Sequence, residues 1–375
     1  MAKKRKKKTD AGGHGRANPA GWLIWGGIPL LIITFFYLIR ARPEVCALIA
    51  HRISYPYRAF MGRLTSKIPF SVAEVLICAA IIGVVVYIIL SVRKIIRSQS
   101  RLRVFLRRFG ALLIAALWML SMYCMLFGVE YLAPGFAAEN GLETGGVTVE
   151  ELYSVTKYFA ENASRLAPEV ERDEFGAYVA DDAVLFRYSE FVYEGLIGEF
   201  PALDARWLRP KPMFFSKLFS IMGFTGMYFP FTGECCINTD FPASGRPFTV
   251  AHELAHSRGV IAEDEANFVG IAACLTSDMT GFEYSGYLSG YMYLENALYR
   301  TDRELWREIR SGLDEYVVRD LTENSAYWNS RQSAVTTAAE TAYDSYLKSN
   351  GVDSGISSYS QCVELLVKYY VNKIR

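Results

Sequence analysis

The segment His252-Glu253-Leu254-Ala255-His256 sets two imidazoles four residues apart, with a carboxylate beside the first. In an α-helix, positions i and i+4 share a face one turn apart. Two imidazoles placed this way reach one zinc ion through Zn–N bonds of about 2.0–2.1 Å. The intervening glutamate reaches a water on that ion. Zinc brings the pKa of such a water down towards ~7; the carboxylate takes its proton during attack on a carbonyl and then passes it to the leaving amine. The chain has four histidines, and half of them stand in this motif. Phe248, Val250, Ala251, Leu254 and Ala255 make the surrounding helix largely apolar. Two imidazoles and a carboxylate buried on such a helix need polar partners, and a metal satisfies all three.

A catalytic zinc takes three protein ligands and keeps one position open. The remaining histidines are His14, in a basic N-terminal tail, and His51, so the third ligand is expected to be a carboxylate. Gly259 stands where a turn would end the HExxH helix. The run Glu263-Asp264-Glu265-Ala266-Asn267-Phe268 then opens another helix. Two antiparallel helices joined by this short turn would bring the first turn of the second close to the metal. Glu263 and Asn267 share a face, which suits Glu263 as the ligand and Asn267 as a hydrogen-bond partner of a ligand histidine. Glu265 is the alternative ligand, and Asp264 is expected in solvent. The three acids also suit an ordinary helix N-terminus, where each negative charge stabilises by ~0.3–1 kcal/mol.

The elements that must hold this site begin in apolar segments. The chain has 375 residues, 51% of them hydrophobic, and its formal net charge of +1 hides a basic first third. PAGWLIWGGIPLLIITFFYLI, FSVAEVLICAAIIGVVVYIILSV and FGALLIAALWMLSMYCMLFGV, at about 19–39, 70–92 and 109–129, are each long and apolar enough to span a bilayer. Soluble core helices rarely stay apolar all round over such lengths. No small-residue cleavage site follows the first, so it reads as a retained anchor. Lys3–Lys8 and Arg16 precede span one, and Arg93, Lys94, Arg97, Arg101, Arg103, Arg107 and Arg108 lie between spans two and three. These segments share one side, which the positive-inside rule makes the cytoplasm. The first link opposes this with Arg40, Arg42, Arg52, Arg58, Arg63 and Lys67. The expected division is a basic cytoplasmic tail over 1–18, a three-span region over 19–130 and an extracytoplasmic domain over 131–375. No known nucleic-acid motif accompanies the basic runs, so membrane orientation accounts for them and no nucleic-acid partner is expected. The seven cysteines show no metal spacing and read as buried thiols.

Within 131–375, Thr148 and Glu151 predict a capping box opening a helix to about Leu166, and another helix is expected over Ser189–Phe200. Pro, Gly and aromatics over Pro210–Pro247 predict loops and short strands. Helical patterns return at Thr249–Ser257, Glu263–Thr276, Tyr287–Tyr299, Arg303–Val318, Ser325–Lys348 and Tyr359–Asn372.

PFTGECCIN, RPFTVAHELAHSRGVIAEDEANF and FEYSGYL, with IPFSVAEVL and KPMFFSKLFSIMGFTGMYFPFTGE upstream, resemble a bacterial membrane family, domain of unknown function 3810. That resemblance implies a three-span N-terminal region and a zincin-like domain. Glu263-xx-Ala266-Asn267 is also similar to the Glu-xx-Ala-Asp element of gluzincin peptidases, in which the Glu is the third zinc ligand and the Asp orients a ligand histidine. Asn267 keeps the acceptor without the charge. In zincins an edge strand above the active-site helix pairs with extended substrate. Glu234, Cys236 and Asn238 are the expected members of that strand, with an ordinary core strand as the other reading. Tyr284 or Tyr287 would stabilise an oxyanion, although packing also explains both. The fold class expected is thus mainly α: three transmembrane helices, then a zincin-like α+β domain with an HExxH helix. The expected function is a multi-pass cell-membrane zinc (Zn2+) metallopeptidase acting on peptide or protein substrates near the bilayer. The alternative is a non-catalytic membrane protein with a structural or sensory zinc site.

Overall fold

A computed structural model describes residues 19–205, 208–352 and 359–374, and the basic tail over 1–18 lies outside the described residues. The fold is mainly helical. Pro19–Ile39 forms α1, which keeps Pro29 inside the helix, as spanning helices tolerate. Pro43–Ile49 forms α2, a π-helical turn follows over Ala50–Ser54, and Tyr55–Thr65 forms α3. Val72–Ile96 is α4 and Arg101–Tyr123 is α5. Helix α5 continues through a π turn into the short α6, Val129–Tyr131. Three helices, Gly21–Ile39, Val72–Ile96 and Arg101–Tyr131, are long and apolar enough to cross a membrane, close to where the sequence places them. Their apolar side chains point outward: Leu23 and Leu31 are 76% and 71% exposed, a surface only lipid would satisfy. Helices α1 and α5 pack closely, with Trp118 Nε1 donating to the Trp25 carbonyl at 3.0 Å.

Beyond the spans, Phe136–Glu139 forms α7, Val149–Leu166 α8, Asp182–Tyr188 α9 and Glu194–Ile197 α10. The capping box on α8 forms as expected, with the Thr148 hydroxyl accepting from the Glu151 amide and the Glu151 carboxylate accepting from the Thr148 amide. The helix expected over Ser189–Phe200 is instead a 3-10 turn at Ser189–Phe191 followed by α10. Lys211–Pro212 is β1, Ser216–Met222 α11, Gly226–Phe229 β2 and Glu234–Ile237 β3. Arg246–Ser257 is α12, Glu263–Leu275 α13 and Thr280–Thr301 α14. The patterns expected as Arg303–Val318 and Ser325–Lys348 resolve into α15 (Arg303–Ser311), α16 (Glu315–Asn329) and α17 (Ala334–Ser349). Asp314 caps α16, its carboxylate accepting from the Tyr316 amide, and Ser333 caps α17 by accepting from the Thr336 amide. Tyr359–Val371 is α18.

The core lies among α8, α12, α13, α14 and α18, where Phe159, Leu254, Phe268, Ile271 and Leu294 are fully buried. The three-stranded sheet has the order β1-β3-β2. Strand β1 runs parallel to β3, with Lys211 opposite Cys236. Strand β2 runs antiparallel to β3, with Gly226 opposite Ile237 and Phe229 opposite Glu234. The link between the first two spans is part of this packing. The Tyr57 hydroxyl donates to the Phe231 carbonyl at 2.8 Å, and Thr65 Oγ1 donates to the Thr232 carbonyl at 3.1 Å. Residues 43–71, grouped by sequence with the membrane region, therefore complete the domain that follows the spans.

Candidate metal centre

Helix α12 presents His252 and His256 from one face, as the i, i+4 spacing requires. Helix α13 then returns antiparallel. Gly259 makes the reversal: its φ of +102° is a conformation that L side chains rarely adopt, and a Cβ there would stand 3.3 Å from the Tyr55 ring. The turn delivers Glu263, the first residue of α13, to the two histidines. His252 Nε2 lies 3.3 Å from one Glu263 carboxylate oxygen, and His256 Nε2 lies 3.7 Å from the other. The two Nε2 atoms are 3.1 Å apart. His252, His256 and Glu263 thus form a group able to hold a metal ion, with all ligand atoms within 4.8 Å of one another.

The donor set fits zinc. Four ligand atoms at tetrahedral angles around one zinc stand about 3.3 Å from each other, given bonds of about 2.0–2.1 Å; the spacings here bracket that value. His256 Nδ1 faces the Val260 carbonyl at 2.8 Å, which keeps a proton on Nδ1 and turns the Nε2 lone pair towards Glu263. Burial disfavours charge on His256, but the Glu263 carboxylate outweighs it and lifts the imidazole to about 9. Burial pushes Glu263 up, and the two imidazoles outweigh that and hold it well below the usual carboxylate range.

Glu253 lies beside this group, buried against β2. Gly226 permits the approach, since a Cβ there would fall 2.5 Å from a Glu253 carboxylate oxygen. Burial raises the Glu253 pKa, while the nearby imidazoles and a hydrogen bond from the Tyr228 backbone oppose the rise. One carboxylate oxygen, Oε2, is buried without a hydrogen-bond partner among the described residues. A buried carboxylate left half unpaired beside converging ligand atoms is suited to hold a water. Helix α12 is itself held firmly. Tyr193 donates to the Ala251 carbonyl at 2.7 Å, Cys235 Sγ donates to the Glu253 carbonyl at 3.2 Å, and Arg58 Nη1 donates to the His256 carbonyl at 3.2 Å.

Other expected site residues stand elsewhere. Glu265 is not a ligand: its carboxylate accepts from the Phe136 and Ala137 amides at 2.7 and 2.9 Å, capping α7. Asp264, expected in solvent, is buried. Asn267 is buried on α13, but Nδ2 has no partner among the described residues and neither has His252 Nδ1, so the expected amide–imidazole bond is not formed. Tyr284 donates to Asp320 and accepts from Arg172 at 3.3 Å, while Tyr287 shares a 3.1 Å hydrogen bond with Tyr158. Neither hydroxyl is committed to the metal group. Glu234, Cys236 and Asn238 do not form a substrate edge, because β3 is the central, fully buried strand. Glu234 accepts from the Val72 and Ala73 amides at 3.0 and 2.8 Å, Cys236 meets Ser71, and Asn238 Nδ2 donates to the Phe224 carbonyl at 2.8 Å. The strand against Glu253 is β2, whose one partner among the described residues is β3.

Sequence reasoning misses Tyr343. Its hydroxyl, carried on α17, donates to the Glu263 carboxylate. It also misses Arg58, counted there as an orientation charge, which forms a buried ion pair with Glu130 at 3.0 Å as well as capping α12. No motif marks either residue; among 24 tyrosines, one brought in from a remote helix has no local signal. No curated protein and no solved structure matches the chain. A family model does, over residues 52–367, a stretch that runs from the first link to the last helix and includes every residue of the metal group. The chain belongs to that family, described as protein of unknown function DUF3810.

Proposed function

We propose that this chain is a membrane-anchored zinc metallopeptidase with a zincin-like domain. The observation that carries the reading is the convergence of His252, His256 and Glu263 with the half-unpaired carboxylate of Glu253 beside them. A zinc ion held by the first three residues would supply a Lewis acid and lower the pKa of a coordinated water. Glu253 takes a proton from the attacking water and later passes it to the leaving amine, a role favoured by a pKa raised through burial. A structural metal site has no use for such a base. Strand β2, packed against Glu253 and at the edge of the three-stranded sheet, offers main-chain groups to an extended peptide.

The same reading places the domain outside the cytoplasm. The tail and the link between spans two and three carry dense Lys and Arg. Of the basic residues in the opposing first link, Arg58 is consumed by a buried ion pair within the domain, which weakens the opposition.

The test is metal analysis and peptidase assay of the purified full chain and of Glu253→Gln. The expected result is about one zinc per chain in both proteins, with activity in the unaltered chain reduced at least ~100-fold by the substitution. Activity indifferent to Glu253→Gln, or a purified chain that takes up no zinc, overturns the proposal.

A further inference from the structure

Helix α11 is built inside out. Its serines face the protein: Ser216 Oγ donates to the Met213 carbonyl at 2.9 Å, and Ser220 Oγ accepts from Asn238 Nδ2 at 2.9 Å and from the Tyr327 hydroxyl at 2.8 Å. Its apolar residues face outward. Phe214, in the turn before the helix, is 85% exposed, and Phe215, Leu218 and Ile221 are exposed with it. Spacing at i, i+3/i+4 gathers these side chains on one face. A helix that hides serines and shows phenylalanines in water reverses the usual pattern, so the surface has an apolar partner.

The position of the patch identifies that partner. The Phe214 and Phe215 amides donate to the two carboxylate oxygens of Glu74, each at 2.9 Å. Glu74 lies in the first turn of α4, one of the helices able to cross a membrane. A carboxylate is tolerated at the end of a span and costly deeper in hydrocarbon, so this first turn marks the bilayer surface. Two backbone bonds therefore fix the exposed aromatic pair at that level. Phe70, just before the span, is exposed beside them, and its carbonyl accepts from Lys211 Nζ at 3.1 Å. Lys217, exposed on α11 itself, can keep its ammonium among lipid phosphates while its stem lies on the apolar layer.

We infer that Phe214, Phe215, Leu218 and Ile221 form a lipid-contacting surface, through which the domain carrying the metal centre rests on the bilayer. Helix α11 ends four residues before Gly226, which stands against Glu253. The lipid contact thus ties the chain just before β2, the strand beside Glu253, to the bilayer surface.

The test uses the full chain in phospholipid nanodiscs, with Phe214→p-benzoyl-phenylalanine, Leu218→p-benzoyl-phenylalanine and, as a reference inside a span, Ile88→p-benzoyl-phenylalanine. After illumination, mass spectrometry reads what each position has captured. The expected result is lipid adducts at 214 and 218 within a few-fold of the yield at 88. No lipid adduct at either position while position 88 captures lipid, or capture of a second copy of the chain instead, overturns the inference. The readout needs neither metal nor activity, so it stands or fails separately from the proposed peptidase.

Discussion

At the scale of single residues, the metal group without its ion is a proton-holding pair. The Glu263 carboxylate lifts His256 to about 9 against the effect of burial. The sign follows from the direction: a histidine raised in the folded state stabilises that state fully below its ordinary value near 6.5, and the contribution fades as pH rises through about 9. Zinc binding must displace that proton. Metal uptake at neutral pH is therefore expected to release about one proton from His256, with apparent affinity rising about tenfold per pH unit until the imidazole deprotonates by itself. Calorimetry in buffers of different ionisation enthalpy measures this, and uptake with no proton release contradicts it. Tyr343 acts on the same pair from outside. Its hydroxyl donates to Glu263 and holds the carboxylate in place. Tyr343→Phe keeps the ring and its edge contact with Phe224, yet removes the donor, so a loss of about 10-fold in zinc affinity is expected with the fold intact. Competition with a chelator of known affinity reads the difference.

At the scale of elements, the site depends on α12 reversing into α13 within a few residues. Gly259→Ala forces a side chain onto a φ of +102° and towards the Tyr55 ring. The strain expected is about 1–3 kcal/mol, and because the displaced element begins with Glu263, zinc affinity should fall along with the melting temperature. A Gly259→Ala protein that melts and binds zinc like the original would show that the turn does not set the ligand geometry. This helix pair is also the part most legible in the sequence. His252, Glu253, His256 and Glu263 are fixed relative to one another by helical periodicity and one short turn, all local quantities. The three apolar helices were legible for the same reason, since their length and composition are properties of continuous segments. What sequence could not supply was partnership across distance. Glu234, Cys236 and Asn238 read as an edge because nothing local reveals that Lys211–Pro212 closes one side of β3 and Gly226–Phe229 the other. Glu265 and Glu263 look alike in the chain, and they are told apart by the amides of Phe136 and Ala137, more than a hundred residues upstream. The helix expected over Arg303–Val318 fails at Asp314, whose preference for capping was hidden within an otherwise helical pattern.

At the scale of the whole molecule, the spans serve as more than a tether. The segment between α1 and α4 reaches into the domain and supplies groups that the domain lacks. Arg58 is buried against Glu130 and at the same time donates to the His256 carbonyl, placing a cation at the C-terminal end of α12, the helix that carries both histidines of the candidate metal group. Ser71 meets Cys236, the Val72 and Ala73 amides bind Glu234, and Lys211 Nζ donates to the Thr65 carbonyl at 2.8 Å. Removing this segment together with the start of α4 leaves Glu234 without two amide donors. Losing one member of a buried ion pair alone costs about 3–5 kcal/mol, comparable with much of a domain's net stability of ~5–15 kcal/mol. Residues 130–375 expressed alone, which keep Glu130 without Arg58, are therefore expected to melt at a markedly lower temperature than the full chain and to bind zinc weakly. Fusing residues 43–73 to the N-terminus of a fragment that begins at Glu130, through a flexible linker, should recover part of both, because Arg58 and the Ser71–Ala73 region act through direct contact rather than through the bilayer. Arg58→Ala in the fused form separates the two causes: it is expected to cancel the recovery of zinc affinity while the contacts at Glu234 persist. A fragment 130–375 as stable and as zinc-competent as the full chain would mean that the membrane region only anchors the domain.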